Sequence, residues 1–383
     1  MEDMIIFGAG KAGFRAKRNV GGGNFCVKYF ADNDKRKQGK TLDGIPIISV
    51  EKAINLVENN GFKGRLLIST YINREGGRSF GIIEQIAESK ITGDVYALSS
   101  PYIRDVAVRD IRNKRKIDDE MYRIDVTKPS LLCYQYHVAH HCNLKCKGCG
   151  HRSNVAKPEF GNFEQYSKDI HRLSELFCTV GLIELLGGEP LLNPKLPDFI
   201  RVTRETFPLA DIRVYTNGLL IPCISQNVFD AMKEYDAEFT ISLYPPTKDI
   251  IETIIMRCWE NDIPYNILPF IEKFGVGMFD EEGKTDPKEA YDKCIIDRNC
   301  HFLMDGRLSM CPLPPIYEKF KDTFREELEF EEGKDFINLY DPAMDGFIIN
   351  ELLSKPIPAC RYCNRDLKQT INWESHYDKV FYP

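Results

Sequence analysis

The stretch Cys142-Asn143-Leu144-Lys145-Cys146-Lys147-Gly148-Cys149 puts three thiols on a short loop, directly after the apolar run Tyr134–Val138 that reads as a strand. Thiolates at this spacing can each take one iron of a cubane cluster, because soft sulfur ligands suit iron–sulfur sites. The fourth iron then lacks a protein ligand and stays open to a small molecule. A zinc loop is the alternative reading. A structural zinc site needs four ligands, and His140, His141 or His151 stands close enough in sequence to supply the fourth.

Downstream, strand candidates at Leu182–Leu186, Ile212–Thr216, Phe239–Leu243 and Tyr265–Leu268 alternate with helix-length segments such as Glu164–Phe177. Five strands are too few for an eight-fold barrel and make an open, partial one. Polar and glycine residues close successive strands: Gly187-Gly188-Glu189-Pro190, then Asn217-Gly218, then Ser242. Strand-end loops of such barrels share the C-terminal face, where their chemistry sits. A zinc knuckle has no use for them.

With CxxxCxxC after the first strand and GGEP after the second, the sequence resembles the radical S-adenosylmethionine (SAM) superfamily. The resemblance implies a 4Fe–4S cluster on Cys142, Cys146 and Cys149. It also implies SAM chelating the open iron, with Gly187, Gly188 and Glu189 at its methionine amine and Asn217 and Ser242 as polar contacts. Reductive cleavage of SAM then gives a 5′-deoxyadenosyl radical that abstracts hydrogen from the substrate, with flavodoxin or ferredoxin as electron donor. One position departs from the family pattern. An aromatic usually precedes the third cysteine, and this chain has Gly148, leaving His151 or another ring to take that place.

A second cysteine group follows: Cys294, Cys300, Cys311, Cys360 and Cys363, with a hairpin expected over His301–Met310 around Asp305-Gly306. It resembles the auxiliary-cluster extension called twitch or SPASM, and the lone CxxC favours the single-cluster twitch form. The implied cofactor is a second 4Fe–4S cluster. Five cysteines compete for four places, and the spacing leaves Cys294 and Cys300 both open. A structural zinc site is the alternative.

The first hundred residues form a βαβ series. Gly8, Gly10 and Gly13 sit between the strand Met4–Phe7 and a helix, and Asp32 ends the next strand. Glycines at a helix start can hold a phosphate, and an acid about 20 positions on can meet a ribose hydroxyl. The stretch Phe30–Ser49 resembles Rossmann-like domains of polysaccharide-biosynthesis proteins, which implies a nucleotide or nucleotide-sugar as ligand; NAD and no ligand remain alternatives. The resulting fold class is α/β: an N-terminal Rossmann-like parallel sheet at 1–105 and a linker at 106–128, marked by the mixed-charge run Arg109–Glu120. A central partial (β/α)6 barrel at 129–285 and a C-terminal twitch-like hairpin-and-helix domain at 286–383 complete it.

Composition narrows the function classes. The 383 residues are 43% hydrophobic and 28% charged, and 51 basic against 57 acidic residues leave a net charge of −6. There is no basic field for nucleic acid, no membrane span and no signal peptide, so a cytoplasmic protein is expected. Thirteen cysteines in a reducing compartment point to metal ligation rather than disulfides. The leading expectation is an enzyme acting on a small-molecule substrate, a sugar or nucleotide-linked sugar in glycan assembly, by oxidation, epimerisation or dehydration. The alternative is a peptide or protein maturase with the N-terminal domain as a docking or sensor module. No residue identifies a catalytic acid or base; Tyr244, Cys258 and Arg152 are candidates near the expected face.

Overall fold

The computed structural model describes residues 1–20, 25–59, 61–70, 78–89, 91, 94–108, 117–276, 278–294, 301–323 and 327–375. The chain divides into two compact units. The first comprises Met1–Leu132 with Ser174–Leu182 and Phe207–Asp211. Its elements are β1 (Glu2–Phe7), α1 (Lys11–Val20), β2 (Phe25–Ala31), β3 (Thr41–Leu42), β4 (Ile45–Ile48), α2 (Val50–Glu58), β5 (Gly64–Ile68), α3 (Arg78–Ala87), β6 (Val95–Leu98), the single turn α4 (Ser100–Tyr102) and β7 (Met121–Arg123).

These strands form one sheet in the order β3-β4-β2-β1-β5-β6-β7. β1 pairs in parallel with β2 on one side and β5 on the other, so the strand order reverses at β1. The alternation of β1 explains how the sheet is covered twice. Ile5 and Phe7 pack with Val50 and Ala53 of α2 and Ile82, Ile83 and Ile86 of α3. Met4 and Ile6, facing the other way, pack with Ala16 and Val20 of α1 and with Tyr102. Each fully buried Ile, Phe, Val or Met side chain among these contributes about 1.5–3 kcal/mol. Helix α2 begins where Ser49 accepts a hydrogen bond from the Lys52 N–H, an ordinary N-cap. The segment read as a linker contains β7, which pairs antiparallel with β6 through Leu98↔Met121 and Tyr96↔Arg123. Three residues are too few to show a strand period. Residues 109–116 of the mixed-charge run lie outside the described residues.

The second unit comprises Cys133–Leu173, Ile183–Thr206 and Ile212–Pro383. Most of β8 (Ser130–Ala139) and β9 (Thr179–Gly187) belongs to it, with α5 (Phe163–Leu176) and α6 (Leu196–Thr206). Then come β10 (Asp211–Thr216), α7 (Gln226–Glu234), β11 (Glu238–Ile241), α8 (Pro245–Asp249), α9 (Ile251–Glu260), β12 (Tyr265–Ile267) and β13 (Lys273–Val276). The remainder is α10 (Pro287–Asp292), β14 (Phe302–Met304), β15 (Arg307–Ser309), α11 (Leu313–Phe320), β16 (Ile337–Asn338), α12 (Gly346–Leu353) and β17 (Gln369–Asn372).

The main sheet runs β12-β11-β10-β9-β8-β14-β15-β16, with β13 and β17 as a separate two-stranded ribbon. Five strands thus keep sequence order, as expected of a β/α array. Beyond β8 the neighbour is β14 of the C-terminal hairpin, parallel at Phe302↔Gln135, with the Gln135 N–H donating to the His301 carbonyl at 2.7 Å. Helices cover one face of this sheet. Tyr134 reaches the Tyr166 hydroxyl of α5, Tyr136 packs on Phe199 of α6, and Phe239 meets Phe229 of α7. Among the described residues no helix is long and apolar enough to cross a membrane.

Candidate functional site

The three-cysteine loop leaves β8 and is held from beneath by the glycine pair. Gly188 N–H donates to the Ala139 carbonyl at 2.8 Å, and Glu189 N–H to the His141 carbonyl at 3.0 Å. A Cβ on Gly187 would lie 2.0 Å from the Ala139 oxygen, and one on Gly188 1.9 Å from the His141 oxygen. The cysteine loop's own backbone therefore demands both glycines. Glu189 is fully buried, with three donors on its carboxylate: Leu191 N–H at 3.1 Å, the Thr216 hydroxyl at 2.7 Å and Asn217 N–H at 2.8 Å. Burial raises its pKa to about 7 despite these bonds. It braces the end of β9 against the end of β10.

Asn217 turns this brace toward sulfur. Its amide nitrogen donates to Asn143 Oδ1 at 2.7 Å and lies 3.6 Å from Cys142 Sγ, which also receives the Leu144 N–H at 3.3 Å. Ser242 follows β11, its N–H bonded to the Thr216 carbonyl. Cys142, Cys146 and Cys149 share one packing cluster with Leu144, Leu219, Tyr244, Phe274 and Trp373. Burial pushes the Cys142 thiol far up, with the Glu189 charge adding to it, and raises Cys146 to about 11. Thiols so placed become thiolates when a cationic centre binds them, and N–H donors already face the Cys142 sulfur. The loop fits an iron–sulfur cluster on chemical grounds.

In the second group, Asp305 and Gly306 both have positive φ, 49° and 78°, as a type I′ turn requires, and the ladder Phe302↔Ser309 runs toward Cys311. Cys294 follows α10, while Cys360 and Cys363 bracket a tight turn closed by Cys363 N–H to the Cys360 carbonyl at 3.0 Å. Buried Asp335 secures that turn through the Ala359 N–H at 2.7 Å. Burial drives the Cys311 pKa well up, and Cys360, Cys363 and Cys294 reinforce it as close neighbours. The fold thus gathers Cys294, Cys311, Cys360 and Cys363. Cys300 lies outside the described residues. Among the described residues, no three Cys, His, Asp or Glu side chains converge where a single ion could sit. A cubane asks for wider spacing, since each sulfur takes a different iron.

In the first unit, Gly8 has φ +105°, and a Cβ on Gly13 would lie 1.9 Å from the Gly8 oxygen, so α1 starts tightly against the turn. Gly10 faces open space. Asp32 stands beside this turn, where its carboxylate accepts from Ala9 N–H at 2.9 Å, Asp34 N–H at 2.8 Å and Lys37 Nζ at 2.8 Å. Burial pushes its pKa up, but Lys37 and the two N–H groups outweigh that and leave it lowered.

Of the other candidates, Tyr244 lies in the cysteine cluster, Cys258 is a fully buried core residue of α9, and Arg152 N–H caps the Cys149 carbonyl. Two features escaped the sequence reading. One is Trp373, stacked on Tyr244 with ring centroids 5.7 Å apart. The other is a polar array on the sheet face opposite the helices. Gln135 Nε2 donates to Glu184 at 2.7 Å, and Tyr215 is linked to both Glu184 and Arg213. Arg213 in turn pairs with Glu238 at 2.9 Å, and Thr240 and Asn266 continue the register. Polar residues at alternate positions, 213 and 215 or 238 and 240, were the signal available for it.

Residues 136–258 match the Radical SAM superfamily. The GTP 3′,8-cyclase of Nostoc sp. is 32% identical over 96 residues, 24% of this chain and 28% of the cyclase. That of Crocosphaera subtropica is 27% identical over 141 residues, 35% and 38% of the two chains. The chain therefore spans well under half the length of these curated relatives. Among solved structures, BtrN in complex with AdoMet and 2-DOIA is 17% identical, covering 62% of this chain and 95% of that one, with a TM-score of 0.37. UDP-D-quinovosamine 4-dehydrogenase from Vibrio fischeri is 21% identical, covering 32% of this chain and 93% of that one, with a TM-score of 0.25. A match to this superfamily implies a 4Fe–4S cluster and SAM, and the matched residues include the three-cysteine loop. The part of the chain that holds the three-cysteine loop and the glycine pair, residues 136–258, is thus similar to a radical SAM domain.

Proposed function

We propose that the protein abstracts hydrogen from a small, hydroxyl-rich substrate, a sugar or nucleotide-linked sugar, in the cytoplasm. The polar array carries this reading. Buried carboxylates cost several kcal/mol each unless paired, and an apolar face of the same volume is often as stable or more so. Gln135, Glu184, Tyr215, Arg213 and Glu238 supply alternating donors and acceptors on four adjacent strands. That pattern suits vicinal hydroxyls better than an apolar peptide side chain.

The chain's own parts have distinct tasks in this proposal. Cys142, Cys146 and Cys149 hold the cluster, Gly187 and Gly188 seat their loop, and Glu189 with Asn217 fixes the strand ends beside it. The bound cluster supplies the electron that opens SAM to a hydrogen-abstracting radical. Cys294, Cys311, Cys360 and Cys363 would hold an auxiliary 4Fe–4S cluster, a one-electron carrier. Reducing electrons enter from a flavodoxin- or ferredoxin-like donor. The Gly8–Gly13 turn lies where the sheet order reverses, the position at which such sheets bind nucleotides, and takes a nucleotide moiety.

The test is release of 5′-deoxyadenosine from SAM by the reconstituted, reduced protein, with UDP-, GDP- and CDP-sugars or candidate peptides present. Stimulation by a sugar nucleotide supports the proposal. Stimulation by peptides alone overturns it in favour of a maturase.

A further inference from the structure

Gly148 occupies the place where the family resemblance calls for an aromatic ring, and the structure shows what fills the space instead. Gly148 has φ +78°, and a Cβ there would lie 2.4 Å from Val276 of β13. β13 pairs antiparallel with β17, Lys273↔Asn372 to Val276↔Gln369, and this ribbon lies on the cysteine loop.

Beyond β17 the chain stays bound to the same loop. Lys147 N–H donates to the Glu374 carbonyl at 2.9 Å, Lys145 N–H donates to Ser375 Oγ at 3.1 Å, and Cys146 bridges to Ser375. Trp373, anchored by its N–H to the Glu272 carbonyl at 2.9 Å, packs its ring into the cluster that contains Cys146 and stacks on Tyr244 at 23°. Its indole Nε1 is buried and makes no hydrogen bond of ordinary geometry within the protein. A buried donor left unpaired is destabilising, so it calls for an acceptor at that spot.

We propose that residues 369–375 are a built-in cover of the three-cysteine loop, and that Trp373 is a positioning residue that aims its indole N–H at the Cys146 sulfur. This rests on the reading of that loop as an iron–sulfur site. A donor on a ligand sulfur stabilises the more negative, reduced state, so it raises the potential at which the cluster takes an electron. The Tyr244–Trp373 stack supplies the aromatic wall that Gly148 cannot.

The experiment compares wild-type protein with Trp373→Phe and Trp373→Ala after anaerobic reconstitution. The relevant cluster is identified as the one whose EPR signal changes on adding SAM. Trp373→Phe keeps the ring and loses the donor, so iron content should stay at the wild-type level while the midpoint potential of that cluster moves negative. Trp373→Ala should also bleach faster in air. In reduced wild-type protein, proton ENDOR should show an exchangeable coupling at that cluster that disappears in D2O and is missing in Trp373→Phe. The D2O arm uses wild-type protein alone. An unchanged potential and unchanged coupling in Trp373→Phe overturn the inference alone. Wild-type protein that takes up no iron at Cys142, Cys146 and Cys149 overturns the proposed function with it.

Discussion

Asp169 on helix α5 accepts a hydrogen bond from the backbone N–H of Gly306, 2.9 Å away and 137 positions later in the chain. The same carboxylate takes the Tyr340 hydroxyl at 2.8 Å and Gln165 Nε2 at 2.7 Å. One side chain of the β/α array thus holds the tip of the hairpin that leads to Cys311. Asp169→Ala should cost about 1–3 kcal/mol, because it strands the buried Gly306 N–H. Hydrogen exchange should quicken first at residues 302–309. Uniform protection across the hairpin in the variant would show that the ladder to β8 suffices.

Cluster stoichiometry follows from the two thiol groups. Reconstituted protein should carry about eight irons, in two four-iron clusters. Replacing Cys142, Cys146 and Cys149 together should remove about half of them and all SAM cleavage, while Cys360→Ala with Cys363→Ala should remove the other half. Persistent 5′-deoxyadenosine production by the first variant would sink the assignment of the core site.

Nucleotide binding in the first unit should respond differently to two substitutions. Gly10 faces open space, so Gly10→Val fills the approach a phosphate needs and should weaken binding at least tenfold with little effect on folding. Asp32→Ala removes both a ribose acceptor and the anchor of the Ala9 N–H, and a loss of about 1.5–3 kcal/mol in binding is expected. Calorimetric titration of the full-length protein with sugar nucleotides and NAD measures both. Equal affinities in wild type and Gly10→Val would remove the turn from the binding site.

Acid sensitivity should come from three buried histidines: His140 and His151, whose pKa values burial lowers to about 4, and His137. The His137 ring is buried, and burial, then His151, His140 and Lys319, hold its pKa well below the ordinary 6.5. The folded protein keeps it neutral while the unfolded chain binds a proton below about pH 6.5, so protons favour unfolding. Stability should be full above that value and fall as the pH drops through 6 to 5. Urea midpoints across this range provide the measurement, and His137→Gln should flatten the slope. A slope unchanged in that variant would place the acid sensitivity elsewhere.

Local spacing made some of these features readable in advance and left others hidden. The cysteine loop, the Gly187-Gly188-Glu189 turn and the Asp305-Gly306 hairpin are each decided within ten residues, and each stands where the sequence put it. Asp32 was legible as an acid after β2, but its partner Lys37 belongs to a turn with no period of its own. β7 and β14 are three residues long, so their pairing depends on neighbours that the sequence does not display. Trp373 has no local signal at all; it matters because a strand far along the chain folds back on Cys146.

That return has a consequence for how the molecule is made. Lys145 and Ser375, bonded to each other, are 230 positions apart. During synthesis the three cysteines emerge long before the strand that covers them, and the growing chain presents its cysteine loop bare. Delivery of iron and sulfur before residues 369–375 arrive meets an open loop, whereas delivery afterwards must lift the ribbon. The order of chain growth and cluster delivery thus decides how exposed the cofactor is while it is being installed.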